Sequence, residues 1–178
     1  MGIIQEEQSI QDAVLDIAKR MVIAARTAPK GRGVSTLHSC IIWGGDIHPI
    51  IAKMEQMSVE FNLPSFARDA KNIEVSDVLV LFGTEIQPIM LQKCGMCGFE
   101  NCQEKMQHPK IPCVFNTGDL GIAIGSAVSV AMDNRIDNRI MYSVGLAVKE
   151  LGLFPKEVAI IYGIPLKASS KNIFFDRS

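Results

Sequence analysis

Asp77-Val78-Leu79-Val80-Leu81-Phe82-Gly83 decides the fold. Five apolar residues in a row between an aspartate and a glycine are too few for a core helix, and they read as a buried strand. Upstream, Leu37 to Trp43 looks like a second buried strand closed by Gly44 and Gly45, and downstream Val158 to Tyr162 forms a third. Ahead of them Ile10, Val14, Ile17, Ala18, Met21, Val22 and Ala25 recur at three- and four-residue spacing. With Ser9 as a possible N-cap, that pattern predicts an amphipathic helix over about residues 8 to 27, ended by Pro29, Gly31 and Gly33. Further helices are expected from Asp46 to Phe61, after Pro64, in a short stretch near Ile86 to Gln92, and from Asn138 to Leu151 before Gly152. Gly118 to Met132 is helical in pattern but rich in Gly, Ala and Ser. Small residues let backbones approach closely, so this is expected to be the central, most buried helix. Strands with surrounding helices give an α+β fold, read as a single domain over residues 1–178.

Composition narrows the function. Of 178 residues 48% are hydrophobic and 21% charged, which excludes disorder and leaves apolar material for an oligomer interface. Eighteen basic against nineteen acidic side chains give a net charge of -1, so no field for a polyanion exists and nucleic acid is excluded as a partner. The N-terminal stretch carries Glu6 and Glu7 and no basic region, so it does not read as a signal peptide. The longest uncharged apolar run, Leu120 to Met132, is too short to span a bilayer. A cytoplasmic location without a membrane partner is expected. In that reducing compartment clustered cysteines serve as metal ligands or redox groups rather than disulfides.

Four of the five cysteines fall within residues 94–113: Cys94, Cys97, Cys102 and Cys113, spaced C-x2-C-x4-C-x10-C. Two ligands two residues apart can wrap one centre, the third returns after a short turn, and the fourth arrives from farther along the loop. Gly95 and Gly98 let the backbone curl and aim N–H groups at sulfur, which stabilises a reduced, electron-rich centre. Four thiolates so arranged suit a [4Fe-4S] cluster. Zinc is the rival, because His108 could replace Cys113 as the fourth ligand, although the second short hook usual in zinc sites is missing. A metal-free redox dithiol is the third reading. Cys40 lies inside the first expected strand and reads as a small buried hydrophobe. His38, His48 and His108 are too scattered for a triad, and His48, before Pro49, reads as structural. The chain has no Walker loop, no G-x-G-x-x-G and no G-x-S-x-G.

Arg26, Lys30 and Arg32 stand in a glycine-interrupted loop after the first helix, where they could meet a phosphate or simply answer the helix dipole. Lys167 and Lys171 make a second basic stretch after Pro165, either a solvated loop or a ligand contact. The tandem Asp133-Asn134-Arg135-Ile136 and Asp137-Asn138-Arg139-Ile140 would place both arginines on one helical face, with Asp137 as a cap. It reads as a capped helix junction, with an anion clamp or an interface as alternatives. Phe174, Phe175 and Arg177 make a tail apolar enough to pack on something.

The segments Ala24 to Gly31, Cys94 to Gly98, Asp119 to Ser126 and Tyr162 to Leu166 together resemble a family of uncharacterised proteins containing a ferredoxin domain. The order of elements, with its Ala-Pro loop, small-residue helix and strand ending in Gly163-Ile164-Pro165, also resembles the flavin-dependent nitroreductase fold. That resemblance implies FMN at a homodimer interface, with Arg26, Lys30 and Arg32 near the flavin and Lys167 or Lys171 at its phosphate. The cysteine segment would then be an iron-sulfur elaboration of the scaffold. The function so implied is an electron carrier, or with flavin a small oxidoreductase; a zinc-stabilised interaction module is the alternative from another class. Fold alone does not carry activity.

Overall fold

The structure is a computed structural model describing residues 2–175. In chain order the elements are α1 (Glu6–Thr27), β1 (Leu37–Trp43), α2 (His48–Glu60), α3 (Pro64–Glu74), β2 (Val78–Glu85), α4 (Cys102–Met106), α5 (Val114–Asp133), β3 (Asp137–Asn138), α6 (Tyr142–Glu150) and β4 (Val158–Lys167). The strands make one sheet in the order β1-β2-β4-β3, antiparallel throughout.

The run that opened the sequence is the inner strand β2, and its residues alternate between two cores because strand side chains alternate in direction. Val78, Val80 and Phe82 join Val14, Ile17, Met21, Leu120, Ala123 and Ala127 under α1 and α5. Leu79 and Leu81 join Ile50, Met54, Phe66, Ile73, Val144 and Val148 under α2, α3 and α6. A strand covered on both faces must be apolar at every position, which is why it reads as a continuous run. Each fully buried Leu or Val here contributes roughly 1.5–3 kcal/mol relative to exposure. β4 is built the same way and is longer than expected, running through Pro165 to Lys167. Pro165 lies between the Asn138–Leu166 pair and the Met141–Gly163 bridge, so its missing N–H breaks no ladder bond. α6 lies almost on the β4 backbone: a Cβ on Gly145 would collide with the Ile161 carbonyl, and one on Gly163 with Val144.

Several sequence expectations are corrected. α1 begins at Glu6, with Gln5 in the N-cap position, and Ser9 is already inside the helix, its N–H bonded to the Gln5 carbonyl. β1 is an edge strand rather than a buried one; Ser39 and Cys40 are exposed, so Cys40 is not a core hydrophobe. Residues 86–92 form no helix. The tandem tetrapeptide is not a helical face either, because Arg135 adopts a left-handed φ of 61° after α5 and Asp137 and Asn138 enter β3. Arg139 turns back to donate to the Phe174 carbonyl at 2.9 Å and covers the Phe175 ring, pinning the tail; Arg177 lies outside the described residues.

α5 also departs from expectation. It starts at Val114 and reaches 20 residues, long and apolar enough by length and composition to cross a membrane. In the fold Leu120, Ala123, Ile124, Ala127 and Ala131 pack against the sheet and α1, where Ser126 Oγ donates to the Ala24 carbonyl at 3.1 Å. The opposite stripe is open: Gly118, Gly121 and Gly125 are exposed, as are Ile122 at 50% and Met132 at 63%. The helix is therefore half-buried, not the most buried of the fold.

Candidate functional site

Everything between β2 and α5 is the cysteine loop, and its backbone is fixed from outside. Pro88 removes a helix donor, and Gln87 N–H is taken by Asn116 Oδ1 at 2.9 Å. Asn116, 1% exposed, also reaches Thr36 Oγ1 at 3.5 Å, and Thr36 shares a 2.7 Å hydroxyl bond with Thr84. Arg32 Nη1 captures the carbonyls of Ile89 at 2.8 Å and Met90 at 3.0 Å. These partners account for the absence of the expected short helix.

The loop then curls around its cysteines. Gly95 and Gly98 hold φ of 86° and 89°, a region that favours glycine, and Gly98 N–H closes a turn on the Gly95 carbonyl at 3.0 Å. Asn101 caps the short helix that Cys102 opens: its Oδ1 accepts from Glu104 N–H at 2.9 Å, while Glu104 Oε2 accepts from Glu100 N–H at 2.6 Å. The Cys102 thiol points at the Leu91 carbonyl, 4.0 Å away. Cys94, Cys97 and Cys102 are half-buried, and Cys113, 5% exposed, occupies the N-cap position of α5. His108 stacks on Phe99 with ring centres 4.9 Å apart. Among the described residues no three His, Cys, Asp or Glu side chains converge on a single point. The donor set itself, four soft thiols on one loop with two left-handed glycines, has the chemistry of an iron-sulfur or zinc site.

The first basic loop sits against this segment. Gly31 N–H donates to Asp119 Oδ2 at 2.9 Å, and a Cβ on Gly31 would lie 2.7 Å from Ile89. Arg32 holds its carbonyls with a left-handed φ of 56°. Lys30 is turned to the end of α1, its ammonium donating to the carbonyls of Ala25, Arg26 and Ala28 at 2.8, 3.0 and 2.6 Å. Burial and, secondarily, the neighbouring Arg26 charge hold the Lys30 ammonium below its usual pKa. Arg26 donates to Ser35 Oγ at 3.0 Å.

The second basic pair lies at the other end of the sheet. β4 ends beside the start of β2, where Lys167 meets Asp77 Oδ1 at 2.7 Å and Ala168 N–H meets Asp77 Oδ2 at 3.1 Å. A cavity of about 260 Å³ there is lined by Lys167 together with Glu6, Glu7 and Asp77. Lys171 is held in a turn in which Ser169 Oγ donates to its carbonyl at 2.8 Å. Arg26, Lys30 and Arg32 are thus brought together beside the cysteine loop, and Lys167 and Lys171 are not with them. Asn116 and Asp119, which hold the Gln87 and Gly31 N–H groups, were missed by sequence reasoning, because their partners lie far away in the chain.

Residues 110–177 match the family described as uncharacterised proteins containing a ferredoxin domain. An uncharacterised protein of Archaeoglobus fulgidus is 37% identical over 99% of this chain and 98% of its own length. Among solved structures, the chain resembles a nitroreductase with bound FMN from Desulfitobacterium hafniense, with a TM-score of 0.60, 13% identity and coverage of 96% and 81% of the two chains. It also resembles the Lactococcus lactis nitroreductase CinD in complex with nicotinic acid, with a TM-score of 0.59, 12% identity and coverage of 98% and 86%. At such identities the likeness is one of fold, and it agrees with the nitroreductase-like architecture expected from the order of elements.

Proposed function

The chain belongs to the family of uncharacterised proteins containing a ferredoxin domain, and from that premise we propose that it is an iron-sulfur redox protein built on a nitroreductase-like fold. Cys94, Cys97, Cys102 and Cys113 hold a [4Fe-4S] cluster in this reading. The observation that carries it is the cysteine loop: four thiols between β2 and α5, with Gly95 and Gly98 in left-handed backbone around the first two. Metal binding gathers such donors as it folds the loop. When bound, the cluster supplies one-electron transfer. Asn116, Arg32 and the Asn101 cap hold the ends of the loop, so that its closure moves a short segment rather than the sheet.

FMN is the second cofactor of the proposal, supported by the flavin-bearing nitroreductases of the same fold. The two basic sets lie at opposite ends of β2, an eight-residue strand roughly 24 Å long. One flavin meets both only across two copies of the chain, so flavin and homodimer stand or fall together. The open stripe of α5 supplies an apolar surface for such a pairing. With flavin the protein is a small oxidoreductase, and without it an electron carrier working in a reducing, cytoplasmic compartment. Replacement of Cys97 by Ser tests the ligand set: the variant loses most of its iron while far-ultraviolet dichroism stays native, and full iron retention refutes the assignment. A yellow chromophore released by heat identifies the flavoenzyme.

A further inference from the structure

A cavity of about 490 Å³ opens at the end of the sheet away from the cysteine loop, between the N-terminal half of α1, the end of β1, the start of α2 and the end of α3. Its volume falls within the roughly 300–1,000 Å³ of small-molecule sites. Buried Ile47, Ile73 and Val78 and half-buried Leu15 form its apolar part. Trp43 stands beside them 54% exposed, and its ring makes no aromatic or cation contact with any described residue.

The charge of the lining is one-sided. Asp12, Glu74 and Asp77 contribute carboxylates, and no lysine or arginine lines the cavity. Asp77 is neutralised by Lys167 at 2.7 Å. Asp12 accepts from Gln8 Nε2 at 2.9 Å, and neither Asp12 nor Glu74 pairs with a cation among the described residues. No three metal-binding side chains among the described residues converge there, so a bare metal ion lacks its ligand set. An apolar floor, an open indole face and two unanswered carboxylates suit one chemistry, a positive charge carried on an apolar body.

We propose that this cavity binds a small organic cation, an amine or quaternary ammonium with an apolar body. The body lies against Ile73 and Val78, and the charge meets the Trp43 ring, whose negative face attracts cations. Asp12 and Glu74 select the sign of the ligand; being exposed, each adds only modestly to affinity. A neutral molecule of the same shape keeps the apolar contact and loses the rest, and an anion is repelled. The cavity adjoins the start of β2 and the cysteine loop follows its end, so binding here does not depend on the cluster.

Trp43 is the only tryptophan of the chain, so its fluorescence reports the cavity. The test is a titration of the anaerobically purified full chain with benzyltrimethylammonium, with benzyl alcohol and benzoate as neutral and anionic controls and calorimetry in parallel. The cation gives a saturable change, and both controls bind at least about tenfold more weakly. The double variant Asp12→Asn, Glu74→Gln binds the cation about fivefold to tenfold more weakly at an unchanged melting temperature, because both side chains are exposed. Trp43→Leu, followed by calorimetry, weakens binding about threefold to tenfold. A cation titration with no saturable change, a control that binds within about twofold of the cation, or a double variant within about twofold of wild type overturns the assignment. None of these readings involves iron content, so the cluster stands or falls separately.

Discussion

Arg32 Nη1 donates to the Ile89 carbonyl at 2.8 Å, tying the loop after α1 to the segment that leads into Cys94. Its second bond, to Met90, and the Gly31–Asp119 contact make the basic loop a wall of the cysteine site. Arg32→Ala should lose about 1–2 kcal/mol in urea denaturation, the usual worth of a charge-assisted bond to a carbonyl. Arg32→Gly loses the same bonds but relieves the left-handed backbone, and should be roughly 1 kcal/mol less destabilised than the alanine variant. Equal losses would mean that the backbone at residue 32 is unstrained.

Gly145 and Gly125 make a contrasting pair. The Gly145→Ala methyl would meet the Ile161 backbone, which cannot step aside, so this variant should lose about 3 kcal/mol or fail to fold. Gly125 faces open space, and Gly125→Ala should gain about 0.5–1 kcal/mol in helix propensity. Gly125→Leu tests the proposed dimer: sedimentation should show more monomer than wild type, and an unchanged distribution would remove α5 from the interface.

Lys30 makes a prediction about pH. Its folded-state pKa lies below the free-lysine value, so above that lowered pKa the unfolded chain binds more protons than the native one. Its contribution therefore grows as pH rises from the lowered pKa toward 10.5. Wild type should gain stability relative to Lys30→Met over that window in parallel denaturation curves; a relative loss would reverse the sign of the shift.

Cys40 should react unlike a free surface thiol. It is exposed on β1, yet partial desolvation holds its thiol above the ordinary range, and the thiolate is the nucleophile. Near neutral pH its alkylation by iodoacetamide, followed by mass spectrometry, should be slower than that of free cysteine. A rate matching free cysteine would show that the strand edge leaves the thiol fully solvated.

Local pattern told the inner elements well. The β2 run and the spacing in α1 report burial directly, because each residue there faces the sheet or α5 through its own periodicity. What failed depended on distant partners. Cys40 looked like core because β1 reads as apolar, but only the strand order reveals that β1 is an edge. Ile86 to Gln92 looked helical until Asn116 and Arg32 took the backbone groups that a helix needs. Gly118 to Met132 looked central because small residues suit close packing, whereas one face of α5 is open in the single chain. For the site, the four cysteines were legible from spacing, the contact of Arg32 with their loop was not, and the separation of Lys167 from Arg26 followed only from the antiparallel register of β2 and β4.

The most direct measurement of the central claim is the iron, acid-labile sulfide and zinc content of the anaerobically purified full chain. The account predicts about four irons and four sulfides per chain, with a broad absorbance around 400 nm that dithionite bleaches. A colourless protein with about one zinc per chain and no sulfide would contradict it.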